Sequence, residues 1–158
     1  MLAAMASKRD LIKMTPAEVE TFLDEQRTLQ VASINKDGTP HLVAMWYARF
    51  GSDIAFWTYG RSQKVVNVQR DPRLTVMVET GDKYEELKGV TIYGRARVID
   101  QLDEVLQFGE AVYERYWGPI DNDMVREGVR QMGRKRVVIV VERDKVVSWD
   151  HTKLGGAY

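Results

Sequence analysis

Hydroxyl and cationic side chains are concentrated in residues 58–64, at the predicted junction between a strand and a helix. Thr58 and Ser62 supply hydroxyl groups, and Arg61 and Lys64 supply two positive charges. The first backbone N–H groups of a helix have no partner within it, and the helix dipole favours negative charge there. The segment therefore fits a phosphate group. The alternative is a capped surface helix whose basic side chains are solvated.

Aromatic side chains form a second group, on two neighbouring predicted strands. This group, together with Met45, comprises Trp46, Tyr47, Phe56, Trp57 and Tyr59. Because side chains alternate along a strand, Trp46 and Tyr47 are expected to face opposite sides. One ring of such a pair then belongs to the core and the other to a pocket or a subunit interface, although core packing is the more common role of aromatic residues.

The polar segment 148–153 is a third candidate, because it contains Trp149, His151 and Lys153. A segment of this composition is able to fold over a ligand or over a partner subunit. The alternative is a frayed terminus, which is the usual state of chain ends.

The familiar patterns of catalytic and metal-binding proteins do not occur in the sequence. The 158 residues include no cysteine, which excludes disulfides and thiolate chemistry. The two histidines, His41 and His151, do not have metal-ligand spacing, so we predict no metal site. The sequence also contains no nucleophile elbow, no phosphate loop and no dinucleotide-binding fingerprint. Any chemistry is therefore expected to come from a bound cofactor.

The charge balance indicates which partners to expect. Lysine plus arginine equals aspartate plus glutamate at 23 each, which argues against bulk binding of nucleic acid or of a membrane surface. No run approaches about 18 apolar residues, so we expect no membrane span. The charges at Lys8 and Arg9 follow the first apolar residues rather than precede them, which is not typical of a secretory signal. We therefore expect a cytoplasmic protein.

The periodicity predicts a mainly β protein with peripheral helices. Residues 1–13 are interpreted as a flexible N-terminal tail and residues 14–158 as a single domain. A helix is predicted from the cap at Thr15, with Pro16 in its first position, to about residue 26. Further helices are predicted over 63–70, 102–116 and 121–132, and strands over 29–34, 41–49, 54–58, 74–80, 89–100, 136–142 and 146–149.

These strands predict a closed or nearly closed antiparallel barrel of about six strands, of which the first three form a meander. The last predicted strand either pairs with its predecessor or extends the barrel.

Four landmarks of the sequence, taken in order, resemble those of the pyridoxamine-phosphate-oxidase-like split barrels. Residues 29–41 resemble the opening hairpin of that family, and residues 58–64, followed by Asn67 and residues 71–73, resemble its next landmark. Residues 90–98, with Gly94 and Ala96, are similar to a later strand. The ending, residues 147–156, closely resembles the branch that uses the deazaflavin coenzyme F420. The resemblance extends from about residue 15 onward.

The resemblance implies a six-stranded antiparallel split β-barrel of the FMN-binding type, acting as a homodimer with two cofactor sites at its interface. F420 is the expected cofactor and FMN the alternative. Residues 61–64 match the segment that holds the cofactor phosphate, and the C-terminal residues match a tail that closes on the site, from the same subunit or from the other. The implied cofactor-binding residues are Val31, Ala32, Ser33, Val43, Met45, Trp46, Thr58, Arg61, Ser62, Gln63, Lys64, Asn67, Met77, Glu79, Trp149, His151 and Lys153.

The implied activity is hydride transfer between F420 and an unsaturated small-molecule acceptor, such as a quinone, a conjugated lactone or a tetrapyrrole. No catalytic side chain is assigned, although His151 or Tyr59 is able to supply a proton. The oligoglutamate tail of a deazaflavin would favour additional cations, for which Arg27, Lys36, Arg70 and Arg73 are candidates. The alternatives are an FMN oxidase or reductase of the same fold, a non-catalytic protein that binds a cofactor or a haem-type ligand, and a barrel without a cofactor.

Overall fold

The computed structural model describes residues 7–155. Its helices are α1 (Lys8–Leu11), α2 (Pro16–Glu25), α3 (Gln63–Arg70), α4 (Leu102–Trp117) and α5 (Asp123–Gly133). Its strands are β1 (Leu29–Ile34), β2 (Pro40–Met45), β3 (Ala48–Phe50), β4 (Asp53–Tyr59), β5 (Arg73–Thr80), β6 (Lys88–Ile99) and β7 (Arg136–Asp150). No helix within this part of the chain is both long and apolar enough to cross a membrane.

All seven strands belong to one antiparallel sheet with the order β2-β1-β5-β6-β7-β4-β3. The strands at its two edges, β2 and β3, are consecutive in the chain and are separated only by Trp46 and Tyr47. Two residues span a short distance, so the sheet must curl until its edges meet at this bend. The predicted antiparallel split barrel is therefore confirmed.

The structure corrects the predicted number of strands from six to seven. The predicted strand 41–49 is broken at residues 46–47, and its halves pair at opposite edges of the sheet, so the predicted meander of the first three strands is wrong. The Tyr47 hydroxyl donates to the carbonyl oxygens of Leu23 (2.6 Å) and Gln26 (3.1 Å), which fixes the bend against α2. The predicted strands 136–142 and 146–149 are one strand, β7, with an irregularity opposite Tyr93 and Gly94.

Two cores lie on the two faces of the curled sheet. The inner core includes Val31 and Val76 from the strands together with Phe22 of α2 and Val65 of α3, so both helices pack into the barrel. On the outer face of β4 and β7, helices α4 and α5 bury a second cluster of apolar residues. Its members are Ala48, Ala55, Trp57, Ile99, Val105, Phe108, Val112, Val129, Val138 and Val140.

Residues 7–13, which belong to the predicted N-terminal tail, lie in the described part of the chain. Residues 8–11 form one helical turn, which Ser7 caps by accepting from the Asp10 N–H. The Ile12 carbonyl accepts from the Asp150 N–H at 2.7 Å, and Met14 is buried. Residues 7–13 are thus held against the end of β7, and residues 1–6 of the predicted tail lie outside the described residues.

Candidate functional site

Two cations and two hydroxyl groups meet where β4 ends and α3 begins. The Lys64 Nζ donates to the Thr58 Oγ1 at 3.1 Å, and that oxygen lies 3.3 Å from the Ser62 Oγ. Arg136, the first residue of β7, pairs with Tyr59 of β4, and this pairing brings its charge close to Lys64. We refer to Thr58, Ser62, Lys64 and Arg136 as the cationic cluster.

The charges of the cationic cluster have no partner of opposite sign among residues 7–155. Burial lowers the pKa of Lys64, and the neighbouring positive charge of Arg136 lowers it further. Among residues 7–155, no carboxylate lies within ion-pair distance of Lys64, Arg61 or Arg136. A half-buried charge without a partner is unfavourable, and a bound anion would offset that cost. The cluster is therefore suited to an anionic group.

The backbone at the start of α3 adds further donors to the cluster. Ser62 is the N-cap residue, and its side chain caps no N–H group of the helix. The N–H groups of Gln63 and Lys64 belong to the first helical turn and so have no partner within the helix. Together with the helix dipole, they favour an anion beside the Lys64 ammonium.

Asn67 holds the cationic cluster in place from behind. Its side chain is completely buried. The Asn67 Nδ2 donates to the Ser33 Oγ (3.1 Å) and the Asn35 Oδ1 (3.0 Å), and its Oδ1 accepts from the Gln63 Nε2 (2.9 Å). These bonds tie α3 to β1, and they use both amide protons of Asn67. Asn67 thus positions the helix, and its side chain has no exposed surface to offer a ligand.

A cavity of about 950 Å³ lies beside the cationic cluster, between the barrel and helices α4 and α5. It is lined by Thr28, Ala44, Met45, Trp46, Trp57, Gly109, Val112, Tyr113, Trp117, Val125, Gly128, Val129, Met132 and Arg136. We refer to it as the helix-side cavity. Arg136 belongs both to this cavity and to the cationic cluster. Its guanidinium lies over the rings of Trp57 and Tyr59, with 4.6 Å to each ring centroid.

Aromatic rings form one wall of the helix-side cavity. Trp46 stacks on Tyr116 with centroids 4.2 Å apart and planes 10° apart, and Trp117 meets Trp46 edge-on at 4.7 Å. Trp46 is 43% exposed, whereas Tyr47 is 1% exposed. This confirms that one ring of the pair belongs to the core and the other lines a pocket. Burial raises the pKa of Tyr47 to about 12, so its hydroxyl stays a hydrogen-bond donor.

The sequence of residues 8–150 matches the pyridoxamine 5'-phosphate oxidase family. The chain belongs to that family. A conserved hypothetical protein of Mycobacterium tuberculosis is 40% identical over 97% of this chain and 95% of its own, with a TM-score of 0.89. The family and split-barrel type expected from the sequence are therefore confirmed.

Two solved structures that share less sequence with this family member show the same fold. An F420 reductase is 24% identical over 80% of this chain and 94% of its own, with a TM-score of 0.62. HutZ, a heme storage protein from Vibrio cholerae, is 16% identical over 84% of this chain and 94% of its own, with a TM-score of 0.66. A comparison with curated proteins gives no match.

Several expected cofactor residues of this family member lie on the outer face of the sheet, away from the cationic cluster. Met77 and Glu79 of β5 alternate with the buried Val76 and Val78, so they point outward. Trp149 pairs with Gly89, and its ring lies over that glycine, where an added Cβ would approach a ring carbon to 2.2 Å.

Four strand residues of the predicted site differ from one another in exposure. Val31 is a core residue, and Val43 packs against the same inner core. Ala32, between the buried Val31 and Ser33, faces outward. Met45 both packs on the inner core and lines the helix-side cavity.

Trp149, His151 and Lys153 do not meet the cationic cluster within one chain. The Lys153 Nζ donates to the Glu18 Oε2 at 2.7 Å and to the Lys13 carbonyl at 3.0 Å. The His151 Nδ1 lies 2.8 Å from the Tyr84 carbonyl oxygen. This segment follows one end of β7 and Arg136 begins the other, a span of roughly 45 Å along the strand.

Three of the four cations considered for an oligoglutamate tail are engaged within the chain. The Arg27 guanidinium donates to the Arg115 carbonyl, and that of Arg70 donates to the Ile34 carbonyl. Arg73 forms an ion pair with Asp71 at 2.6 Å. The fourth cation, Lys36, is exposed in the β1–β2 turn.

Sequence reasoning missed Arg136 and the α4–α5 wall of the helix-side cavity. The sequence places Arg136 only at the start of the predicted strand 136–142, and Val112 and Tyr113 only within the predicted helix 102–116. The sequence did contain one signal, since Trp117 follows the apolar residues of the predicted helix directly. In the structure this ring remains 59% exposed at the end of α4.

Proposed function

We propose that this member of the family is an oxidoreductase that binds F420 and transfers a hydride from it to an unsaturated small-molecule acceptor. The observation that carries the proposal is that Lys64 and Arg136 lie together beside the start of α3, with no carboxylate partner in the described part of the chain. In its reduced form, the bound coenzyme supplies the hydride, and the residues of the chain bind and orient it.

The cationic cluster fits a phosphate by the chemistry of its donors. Lys64 offers a charged donor and Arg136 adds a positive charge close to it, Thr58 and Ser62 offer hydroxyl groups, and the first turn of α3 offers N–H groups. Hydrogen bonds from charged donors to phosphate oxygens are among the strongest in proteins. Arg61, which is exposed next to the cluster, is able to add a further contact. Both F420 and FMN carry such a phosphate, so this site alone does not discriminate between them.

Two observations favour F420 over FMN. The C-terminal residues 147–156 resemble the F420 branch of the family, and an F420 reductase has the same fold. Within one chain, the C-terminal residues and the cationic cluster lie at opposite ends of β7. We therefore propose that any contact of Trp149 and Lys153 with the coenzyme comes from a second copy of the chain.

The outer face of the sheet offers a surface for that second copy. Leu42, Ala32, Thr75 and Tyr93 stand side by side in register across β2, β1, β5 and β6. Leu42 is 68% exposed and Tyr93 is 47% exposed. Exposed apolar side chains on the face of a sheet are typical of a protein interface. We propose that a homodimer buries this row. Light scattering should then give twice the mass of one chain, and Leu42→Glu should reduce it to the mass of one chain.

The chain's contribution to hydride transfer is positioning and exclusion of water. The cationic cluster anchors the phosphate, and the apolar walls of the helix-side cavity keep water from the reacting carbon. Of the two proton donors considered, Tyr59 lies beside Arg136, whereas His151 lies at the far end of β7. Because Tyr59 is exposed, a proton from solvent also reaches this side of the barrel.

Parallel titrations of the cofactor-free protein with F420 and with FMN test the proposal. Tryptophan fluorescence reports binding, because Trp46, Trp57 and Trp117 lie beside the cationic cluster or in the adjoining cavity. We expect F420 to bind at least tenfold more tightly than FMN, and the reduced coenzyme to be consumed in the presence of a suitable acceptor. Tighter binding of FMN would move the protein to the flavin-dependent group, and binding without turnover across quinones, lactones and tetrapyrroles would indicate a carrier protein.

A further inference from the structure

The helix-side cavity is larger than an anchored phosphate requires. Its volume of about 950 Å³ is at the upper end of the range for small-molecule pockets. Thirteen of its fourteen lining residues carry no charge, and Arg136 is the single charged one. The cavity therefore combines a large apolar volume with one positive charge at the side nearest the cationic cluster.

The shape of the cavity walls favours a flat ligand. Trp46, Trp57, Tyr113 and Trp117 present their rings to the cavity or to one another. Aromatic walls bind flat conjugated rings by stacking and edge contacts. Gly128, on α5, leaves open space where other residues would place a side chain, because nothing lies within 4 Å of a Cβ added there.

Arg136 is available to bind an anionic substituent of such a ligand. Its guanidinium forms no ion pair within residues 7–155, and its Nε is a buried donor without an acceptor there. The rings of Trp57 and Tyr59 hold the guanidinium in place. A carboxylate or sulfonate at the edge of a bound ring would satisfy the free donors.

We propose that the helix-side cavity binds the electron acceptor, and that the acceptor is a flat conjugated ring system with one anionic group paired to Arg136. The role of this ligand as electron acceptor rests on the proposed function, whereas its binding in the cavity does not. The acceptor takes a hydride at one carbon of its C=C bond, and the displaced π electrons take a proton from water at the other carbon. The reduced coenzyme would lose that hydride and release one N–H proton to water, so electrons and protons balance.

The probe 1-anilinonaphthalene-8-sulfonate, which carries a sulfonate on a flat naphthalene ring, tests the binding site without any turnover. Three of the four tryptophans of the chain line the cavity, so energy transfer from tryptophan to the probe reports its occupancy. N-phenyl-1-naphthylamine has the same rings without the sulfonate and serves as the neutral counterpart. We expect the full-length protein to bind the sulfonate at least tenfold more tightly than the neutral probe.

Gly128→Leu fills the cavity, and we expect it to weaken binding of both probes at least tenfold. The substitution suits the helix, because Gly128 has no left-handed backbone and the added side chain meets open space. Gln131→Leu is the matched control, since it places the same side chain on an exposed position of α5 outside the cavity. Equal probe affinity in wild type and Gly128→Leu would overturn the proposal.

Arg136→Met retains an apolar stem and removes the charge, so we expect it to abolish the preference for the sulfonate while leaving the neutral probe bound. A retained preference would refute the role of Arg136.

Lys64→Ala is expected to change probe affinity by less than about threefold, whereas it weakens F420 binding. Displacement of the probe by saturating F420 would show that the coenzyme itself fills the cavity and would overturn the proposal. Probe binding with no F420 binding would instead refute the proposed function alone.

Discussion

Two groups of charged residues on this protein differ in whether their cations have partners. In the first, which we call the ion-pair network, Arg49 and Arg143 both bind Glu20, with N–O distances of 2.6 and 2.5 Å. In the cationic cluster, Lys64 and Arg136 lie close together with no carboxylate partner among residues 7–155. The two groups therefore have opposite effects on the charged forms of their members: the first favours the charged form of Glu20 and the second disfavours that of Lys64.

In the ion-pair network, the two arginines lower the pKa of Glu20, with the hydrogen bond from Arg143 as the largest favourable cause. In the cationic cluster, burial and a like charge lower the pKa of Lys64, which disfavours its charged form. A satisfied network contributes to the stability of the fold, whereas an unsatisfied one lowers it unless a ligand is bound. The difference assigns a structural role to the first group and a binding role to the second.

The largest expected effect is on coenzyme affinity in Lys64→Ala. Loss of a charged hydrogen bond to phosphate costs about 1.5–3 kcal/mol, which corresponds to a roughly 10- to 100-fold weaker binding of F420. The free energy of unfolding of the cofactor-free variant is expected to be unchanged or slightly higher, because an unfavourable charge is removed. Fluorescence titration and urea unfolding measure the two quantities. Lys8→Ala, an exposed lysine on α1, is the matched control. An unchanged F420 affinity in Lys64→Ala would refute the phosphate assignment.

The second prediction concerns the pH dependence of F420 binding. At high pH, the loss of F420 affinity should approach the loss caused by Lys64→Ala. The pKa of Lys64 lies below its ordinary value of 10.5 in the free protein, and a bound phosphate would raise it. Affinity is therefore constant below the lowered pKa and falls as the pH rises through it toward the pKa of the complex. Titrations at a series of alkaline pH values measure this decline. The decline should disappear in Lys64→Ala, and a decline of equal size in the variant would contradict the account.

A smaller effect is expected for Glu20→Gln in the ion-pair network. Because the pairs are partly exposed, the loss is about 1 kcal/mol in the free energy of unfolding, with no change in F420 affinity. The pKa of Glu20 is lowered in the fold, so its contribution is present above the ordinary value of 4.5 and is lost as the pH falls through the lowered value. Urea unfolding at pH 7 and at acid pH measures this difference. Glu25→Gln, exposed on the same helix, is the control. If Glu20→Gln changed F420 affinity more than stability, the separation of a structural group from a binding group would be wrong.

The smallest effect is expected for Arg73→Ala, whose ion pair with Asp71 is on the surface. The hydrogen bonds from Arg73 hold the pKa of Asp71 at about 2, and the variant should move it toward 3.8. NMR titration of the Asp71 carboxyl carbon measures this change. F420 affinity should stay within about twofold of wild type, whereas a larger loss would place Arg73 on the coenzyme.

Much of the fold could be predicted because its signals are local. Thr15 and Pro16 predicted the start of α2, and the predicted bounds of β1 and α3 agree with the structure. The break in the strand at Trp46 and Tyr47 could not be predicted, because the Tyr47 hydroxyl binds carbonyl groups of α2 more than 20 residues away. The sequence pattern predicts one continuous strand, but tertiary contacts bend the chain at Trp46 and Tyr47.

The candidate site likewise has one part that local sequence predicts and one part that depends on tertiary structure. Thr58, Ser62 and Lys64 are close in sequence, so their common role could be predicted from the strand–helix junction. Arg136 could not, because only the pairing of β4 with β7 brings it next to Tyr59 and Lys64. The helix-side cavity depends on how α4 and α5 pack, which an apolar stripe does not specify.

A crystal structure of the protein with F420 bound tests the central claim most directly. We predict a phosphate oxygen of the coenzyme within hydrogen-bond distance of the Lys64 Nζ and next to the first N–H groups of α3. A phosphate bound elsewhere, with Lys64 still bonded only to Thr58, would contradict the assignment of the cationic cluster as the coenzyme anchor.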